Sequence, residues 1–253
     1  MISLIRICQL VTPGSRQGRR LWFDPNQAST VCGGTLSDME NLTPAQAWAQ
    51  LKEGNKRFVE SRPIHPSQGI SDREALVGGQ SPQVVLFGCG DSRLAAEIIF
   101  DQGLGDMFVV RTAGHVLDEA VLGTIEYGAD ILNVPLIVVL GHDQCGAVGA
   151  TLDALDNLTL PNGYVRTIVE KVAPSVLAGR SEGLTEYFEF VTRHVQETAL
   201  LLMQRSRKIA ERVNAGELAI VGLSYRLDDG QVNVVEVVGD IGEQFEKQSE
   251  HAQ

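Results

Sequence analysis

From residue 84 onward the chain alternates between two hydrophobic periods. Residues 84–87 form a continuous apolar run that ends in Gly88-Cys89, and 94–100 recur at helical spacing. Residues 107–110 are a second apolar run, followed by a longer helical stretch at 117–132. Residues 135–140 are a third run, closed by Gly141-His142, and 147–155 are helical again. Strands apolar on both faces, alternating with helices, predict a parallel sheet covered by helices on both sides. Helices are expected at 165–177 and 184–214, and the last strands at 218–225 and 232–238. These strands flank Leu227-Asp228-Asp229-Gly230, whose Asp-Gly signals a hairpin and an antiparallel edge. The fold class is therefore α/β, with about four parallel strands and one antiparallel edge strand.

Upstream, Thr43-Pro44 reads as a helix start. Ala47, Trp48, Leu51, Asn55, Phe58 and Val59 then line one face to about residue 61. A polar, proline-containing stretch covers 62–71, and a short helix is expected at 72–77. Residues 1–38 hold no sustained period. They set Arg6, Arg16, Arg19 and Arg20 against only Asp24 and Asp38, and their apolar start is broken by Arg6 and Gln9. That pattern is a poor secretory signal, and its Arg-rich, acid-poor balance is shared with transit peptides. The favoured reading is a disordered extension, or an over-long reading frame whose natural start is Met39. Residues 39–253 then form a single domain.

Composition narrows the partners. The 253 residues carry a net charge of −11, which disfavours a nucleic-acid backbone as partner. Four cysteines are too sparse for a disulfide scaffold. No apolar run approaches the ~20 residues of a spanning helix. The expectation is a cytoplasmic protein with no membrane and no nucleic-acid partner.

Ligands of open parallel sheets bind beyond the carboxyl ends of the strands. There the sequence places Cys89-Gly90-Asp91-Ser92-Arg93, then Arg111-Thr112-Ala113-Gly114-His115, then His142-Asp143-Gln144-Cys145-Gly146. Cys89, His142 and Cys145 thus arrive on one rim. Two thiolates and an imidazole select zinc over magnesium or calcium, and three protein ligands leave a fourth position open, as in catalytic sites. Cys8 and Cys32 lie in the extension and are poor ligand candidates. A Cys–His nucleophilic pair is the competing chemistry, and it leaves the second cysteine and the Asp91–Arg93 pair unexplained. An arginine two residues from a carboxylate holds it ionised and orients it beside a metal-bound water. A plain salt bridge beside the turn is the alternative.

The paired segments 89–93 and 142–146 resemble the signature of β-class carbonic anhydrases. The resemblance spans roughly 43–243 and takes in Gly79-Gln80-Ser81-Pro82, Phe108-Val109-Val110-Arg111 and Ile125-Glu126-Tyr127. It implies Zn²⁺ on Cys89, His142 and Cys145, with Asp91 and Arg93 as the catalytic dyad. It implies reversible hydration of CO2 to bicarbonate by zinc-bound hydroxide, in a cleft lined by Gln80, Phe108, Ala113 and Tyr127. It also implies a homo-oligomer, dimer or tetramer, whose N-terminal helices embrace a partner that supplies part of the cleft. Gly90 departs from the family, which usually has Ser or Ala there. Gln80 matches the family branch that rests with Asp91 on Arg93. Hydrolysis of carbonyl sulfide or carbon disulfide on the same zinc site stays open as an alternative activity, as does a non-catalytic zinc protein. His115 is a candidate proton shuttle, set against a hydrogen-bonded structural role.

Overall fold

The computed structural model describes residues 42–245; the extension at 1–38, with Cys8 and Cys32, lies outside the described residues. Helix α1 (Pro44–Val59) starts on a complete capping box. The Thr43 hydroxyl accepts from Gln46 N, and the Gln46 side chain accepts from Thr43 N. Its apolar face puts Ala47, Trp48 and Leu51 into the chain's own core. Asn55, also buried, ties the helix to the Ile99 and Gly230 carbonyls. Helix α2 (Ile70–Ala75) is different: it buries no residue, and Ile70 and the nearby Val77 stand exposed.

Five strands form the sheet in the order β2-β1-β3-β4-β5. They are β1 (Val84–Cys89), β2 (Met107–Thr112), β3 (Leu136–His142), β4 (Ala219–Tyr225) and β5 (Val232–Val238). The first four run parallel, and β5 pairs antiparallel with β4. Every residue of β1 and β3 is buried, as a strand covered on both faces requires. Gly230, at φ +76°, completes the turn between β4 and β5, a conformation that Gly adopts without strain.

The helices are α3 (Ala96–Ile99), α4 (Glu119–Glu126), α5 (Gly146–Asp156), α6 (Val165–Ser181), α7 (Tyr187–Arg205) and α8 (Arg207–Asn214). They cover two apolar layers. Trp48, Leu86, Val138, Val172 and Phe190 belong to one, and Phe87, Ile125, Ile137, Val195 and Leu202 to the other.

Two expected helices are interrupted. The stretch expected at 184–214 breaks at Ser206, which leaves helical geometry (φ −110°, ψ 108°). Its hydroxyl accepts from Ile209 N to cap α8 and donates to Glu126 Oε1. The stretch expected at 117–132 starts only after Asp118, whose carboxylate caps α4, and it loosens into a π-turn at Tyr127–Ile131. At Gly128 in that turn a Cβ would lie 2.4 Å from Val85 and 3.2 Å from Phe108, so only glycine permits this approach to the sheet. Among the described residues no helix is long and apolar enough to cross a membrane.

Candidate metal centre

Strand β1 ends at Cys89 and β3 ends at His142, and the two strands are neighbours in the sheet. After His142 the chain turns within two residues. Gln144 adopts φ +53°, and Cys145 N-caps α5. Asp143 pins this turn to the end of β4: its N–H donates to the Tyr225 carbonyl, and its carboxylate accepts from Leu227 N. The sequence spacing thus becomes convergence. The ligand atoms of Cys89, His142 and Cys145 all lie within 4.8 Å of one another, and all three residues are buried.

Each candidate ligand is oriented from behind. His142 Nδ1 lies 2.7 Å from the Asp143 carbonyl, which only accepts, so this nitrogen carries the proton. Nε2 is then an unprotonated lone-pair donor, buried, with no hydrogen-bond partner. Cys89 Sγ accepts from Gly114 N at 3.3 Å. The Tyr187 hydroxyl donates to the Cys145 carbonyl at 2.5 Å. The Cys145 thiol lowers the Cys89 pKa by hydrogen bonding to its thiolate, while the same contact and burial push Cys145 up. A cation bound between two sulfurs this close would favour both as thiolates. An orphaned imidazole lone pair facing such a pair is the donor set of a soft or borderline divalent metal, and zinc fits it.

Asp91 stands beside this cluster. Its carboxylate receives Arg93 Nη2 at 2.7 Å and Nε at 3.0 Å, and the Arg93 backbone N–H at 2.9 Å. These bonds hold the carboxyl well below the usual carboxylate range, with the Arg93 side chain the largest cause. Asp91 Oδ2 also lies 3.9 Å from His142 Nε2. Arg111, at the end of β2, braces the turn by donating to the carbonyls of Cys89 (2.9 Å) and Asp91 (2.6 Å). A Cβ on Gly90 would meet the 112–113 backbone only at 3.7 Å, so a small side chain would fit there.

The four expected cleft residues do not gather at one place. Ala113 is at the rim, its backbone N beside Gly90. Phe108 pairs with Val85 while Thr112 pairs with Cys89. That offset of four residues puts Phe108 about 13 Å down the strand from the ligands. Tyr127 packs on Phe108, with ring centroids 6.0 Å apart. Gln80 is exposed in the segment entering β1, also at the far end.

His115 departs from both expectations for it. It is sealed from solvent, the opposite of what a relay to buffer requires, and neither ring nitrogen has a hydrogen-bond partner. Packing holds it instead, on His194 at 4.4 Å and edge-on to Phe87. The sequence reading missed Gly114, Tyr187 and His194 as supports of the centre. A tyrosine and a histidine on a helix far along the chain carry no local signal of that role.

Comparison with known proteins decides the family. A family model described as carbonic anhydrase matches residues 84–232, from the first residue of β1 to the first of β5. The chain belongs to the β-class carbonic anhydrase family. It is 62% identical over 206 residues to carbonic anhydrase 2 of Mycobacterium tuberculosis, covering 81% of this chain and all of that protein. It is 60% identical over 205 residues to a carbonic anhydrase of Mycolicibacterium smegmatis, again covering 81% of the chain and all of the relative. The solved β-carbonic anhydrase CcaA superposes with a TM-score of 0.60 at 26% identity, over 76% of this chain and 92% of that one. Enzymes of this family, this chain included, interconvert carbon dioxide and bicarbonate.

Proposed function

We propose that this chain catalyses the hydration of carbon dioxide with a zinc ion bound by Cys89 Sγ, His142 Nε2 and Cys145 Sγ. The observation that carries the reading is the buried, unpartnered His142 Nε2 within 4.8 Å of two cysteine sulfurs. When bound, zinc supplies the Lewis acidity that makes water nucleophilic near neutral pH.

The chain's own residues do the rest. Asp91, held ionised and oriented by Arg93, accepts a hydrogen bond from the nucleophile and aims it. Arg111 keeps Cys89 and Asp91 in fixed relation. Ala113 keeps the rim small and apolar. Gln80, Phe108 and Tyr127 lie too far along their own chain to line this cleft. Each subunit of a homo-oligomer therefore lends them to its neighbour's centre. The exposed Ile70 and Val77 of the α2 region supply apolar surface for that contact.

Residues 39–253 form the catalytic domain, and 1–38 are an extension outside it. In support, 206 residues of this chain account for the whole of a relative named as a carbonic anhydrase. The cytoplasm is the proposed location: Cys89 and Cys145, the proposed zinc ligands, must stay reduced to bind metal, and a reducing compartment keeps them so. Steady-state assays of one zinc-quantified preparation against carbon dioxide, carbonyl sulfide and carbon disulfide test the substrate. CO2 hydration is expected to dominate, and hydrolysis of a sulfur analogue without CO2 hydration overturns the reading. Deleting residues 1–38 is expected to leave the rate unchanged.

A further inference from the structure

Behind Cys89 lies a buried polar chain that the reaction itself does not use. It begins on α6 with Ser175 and passes to His194 on α7, and both side chains are almost wholly buried. Ser175 Oγ lies 2.8 Å from His194 Nδ1, and His194 Nε2 lies 2.8 Å from the Gly114 carbonyl. A carbonyl only accepts, so Nε2 carries the proton; Nδ1 then accepts from the Ser175 hydroxyl. Gly114 in turn donates its N–H to Cys89 Sγ.

Gly114 is gripped at both ends, and its conformation has no slack. It sits at φ +63°, and a Cβ there would lie 2.5 Å from the Ala147 side chain at the start of α5. The His115 ring lies against His194 at 4.4 Å and confines it.

We propose that His194 is a positioning residue for the metal centre: locked in one tautomer by Ser175, it fixes Gly114 so that the Gly114 N–H bonds the Cys89 sulfur and moderates its donor strength. This rests on the reading of Cys89 as a metal ligand. The physical reason is that a thiolate sharing charge with an N–H donates less to the metal, and its direction is held. Two helices distant in sequence thereby set the electronic character of one ligand.

Cobalt(II) in place of zinc gives a readout independent of activity, the sulfur-to-cobalt charge-transfer band. His194→Phe keeps a ring beside His115 and removes the donor. Its band is expected to move to longer wavelength, and its zinc affinity to fall about 10-fold or more. His194→Gln, which restores an N–H donor, is expected to return the band toward wild type. Ser175→Ala, a small change at a buried site, is expected to give a smaller shift in the same direction, and it decides the matter if His194→Phe does not fold. A wild-type band in the folded variants, or equal shifts in His194→Phe and His194→Gln, overturns the proposal. If the wild-type protein gives no charge-transfer band at all, the metal assignment fails instead.

Discussion

Asp91 Oδ2 sits between two basic groups, 2.7 Å from the Arg93 guanidinium and 3.9 Å from His142 Nε2. The first contact is a hydrogen bond and the second is not. The carboxylate therefore belongs to Arg93 and only borders the ligand cluster. Asp91→Ala is expected to cut the hydration rate about 100-fold or more, the scale of a positioned acid–base group, while zinc content stays at one per subunit. Arg93→Ala frees the carboxylate to swing toward the ligands and is expected to inactivate as well, again with zinc retained. Metal analysis beside stopped-flow rates checks both; wild-type rates for Asp91→Ala would remove the residue from the mechanism.

The same pair fixes a pH dependence. The Asp91 pKa is lowered in the fold, mainly by Arg93. Its stabilising effect is then complete above the unfolded value of about 3.9 and is lost only as pH falls through the lower folded value. The difference in melting temperature between wild type and Asp91→Asn is thus expected to be the same at about pH 8 and about pH 6. A gap that closes between those values would mean that Asp91 titrates near neutrality and that Arg93 does not hold it.

Much of this centre was legible in the sequence, because residues 89–93 and 142–146 follow strands that are apolar throughout. Strand ends share one rim of a parallel sheet, so ligands written there meet when their strands are neighbours, as β1 and β3 are. The sheet order was less legible, since periodicity reports burial and not adjacency. Ser206 was hidden for a related reason: helical spacing runs on both sides of it, and only its contacts with Ile209 and Glu126 show the break. The support from Ser175 and His194 could not be read at all. It depends on α6 and α7 coming to lie against Gly114, 80 residues before His194, a tertiary fact with no local pattern.

Ser206 predicts a stability effect separate from the chemistry. Ser206→Ala removes an N-cap and a bond to Glu126. It is expected to cost about 1–2 kcal/mol and to lower the melting temperature by several degrees. Zinc content and hydration rate should not change. An unchanged melting temperature in differential scanning calorimetry would show that the break is held by packing alone.

The proposed shared cleft, with Phe108 and Tyr127 far down the strand from Cys89, predicts more than one subunit per working site. Sedimentation is expected to show a dimer or larger even oligomer at micromolar concentration. Val77→Asp, at an exposed apolar position, is expected to weaken assembly and activity together. A fully active monomer would contradict the shared cleft.

The central claim is that the Cys89–His142–Cys145 cluster holds the zinc on which hydration depends. Its most direct test is a zinc titration of chelator-stripped protein, followed by stopped-flow CO2 hydration and repeated on Cys89→Ser, His142→Ala and Cys145→Ser. The wild-type rate is expected to vanish on stripping and to return linearly to a break at one zinc per subunit. The three variants should bind zinc weakly and stay inactive. Full activity in the stripped protein, or stoichiometric zinc with wild-type rates in the variants, would contradict the account.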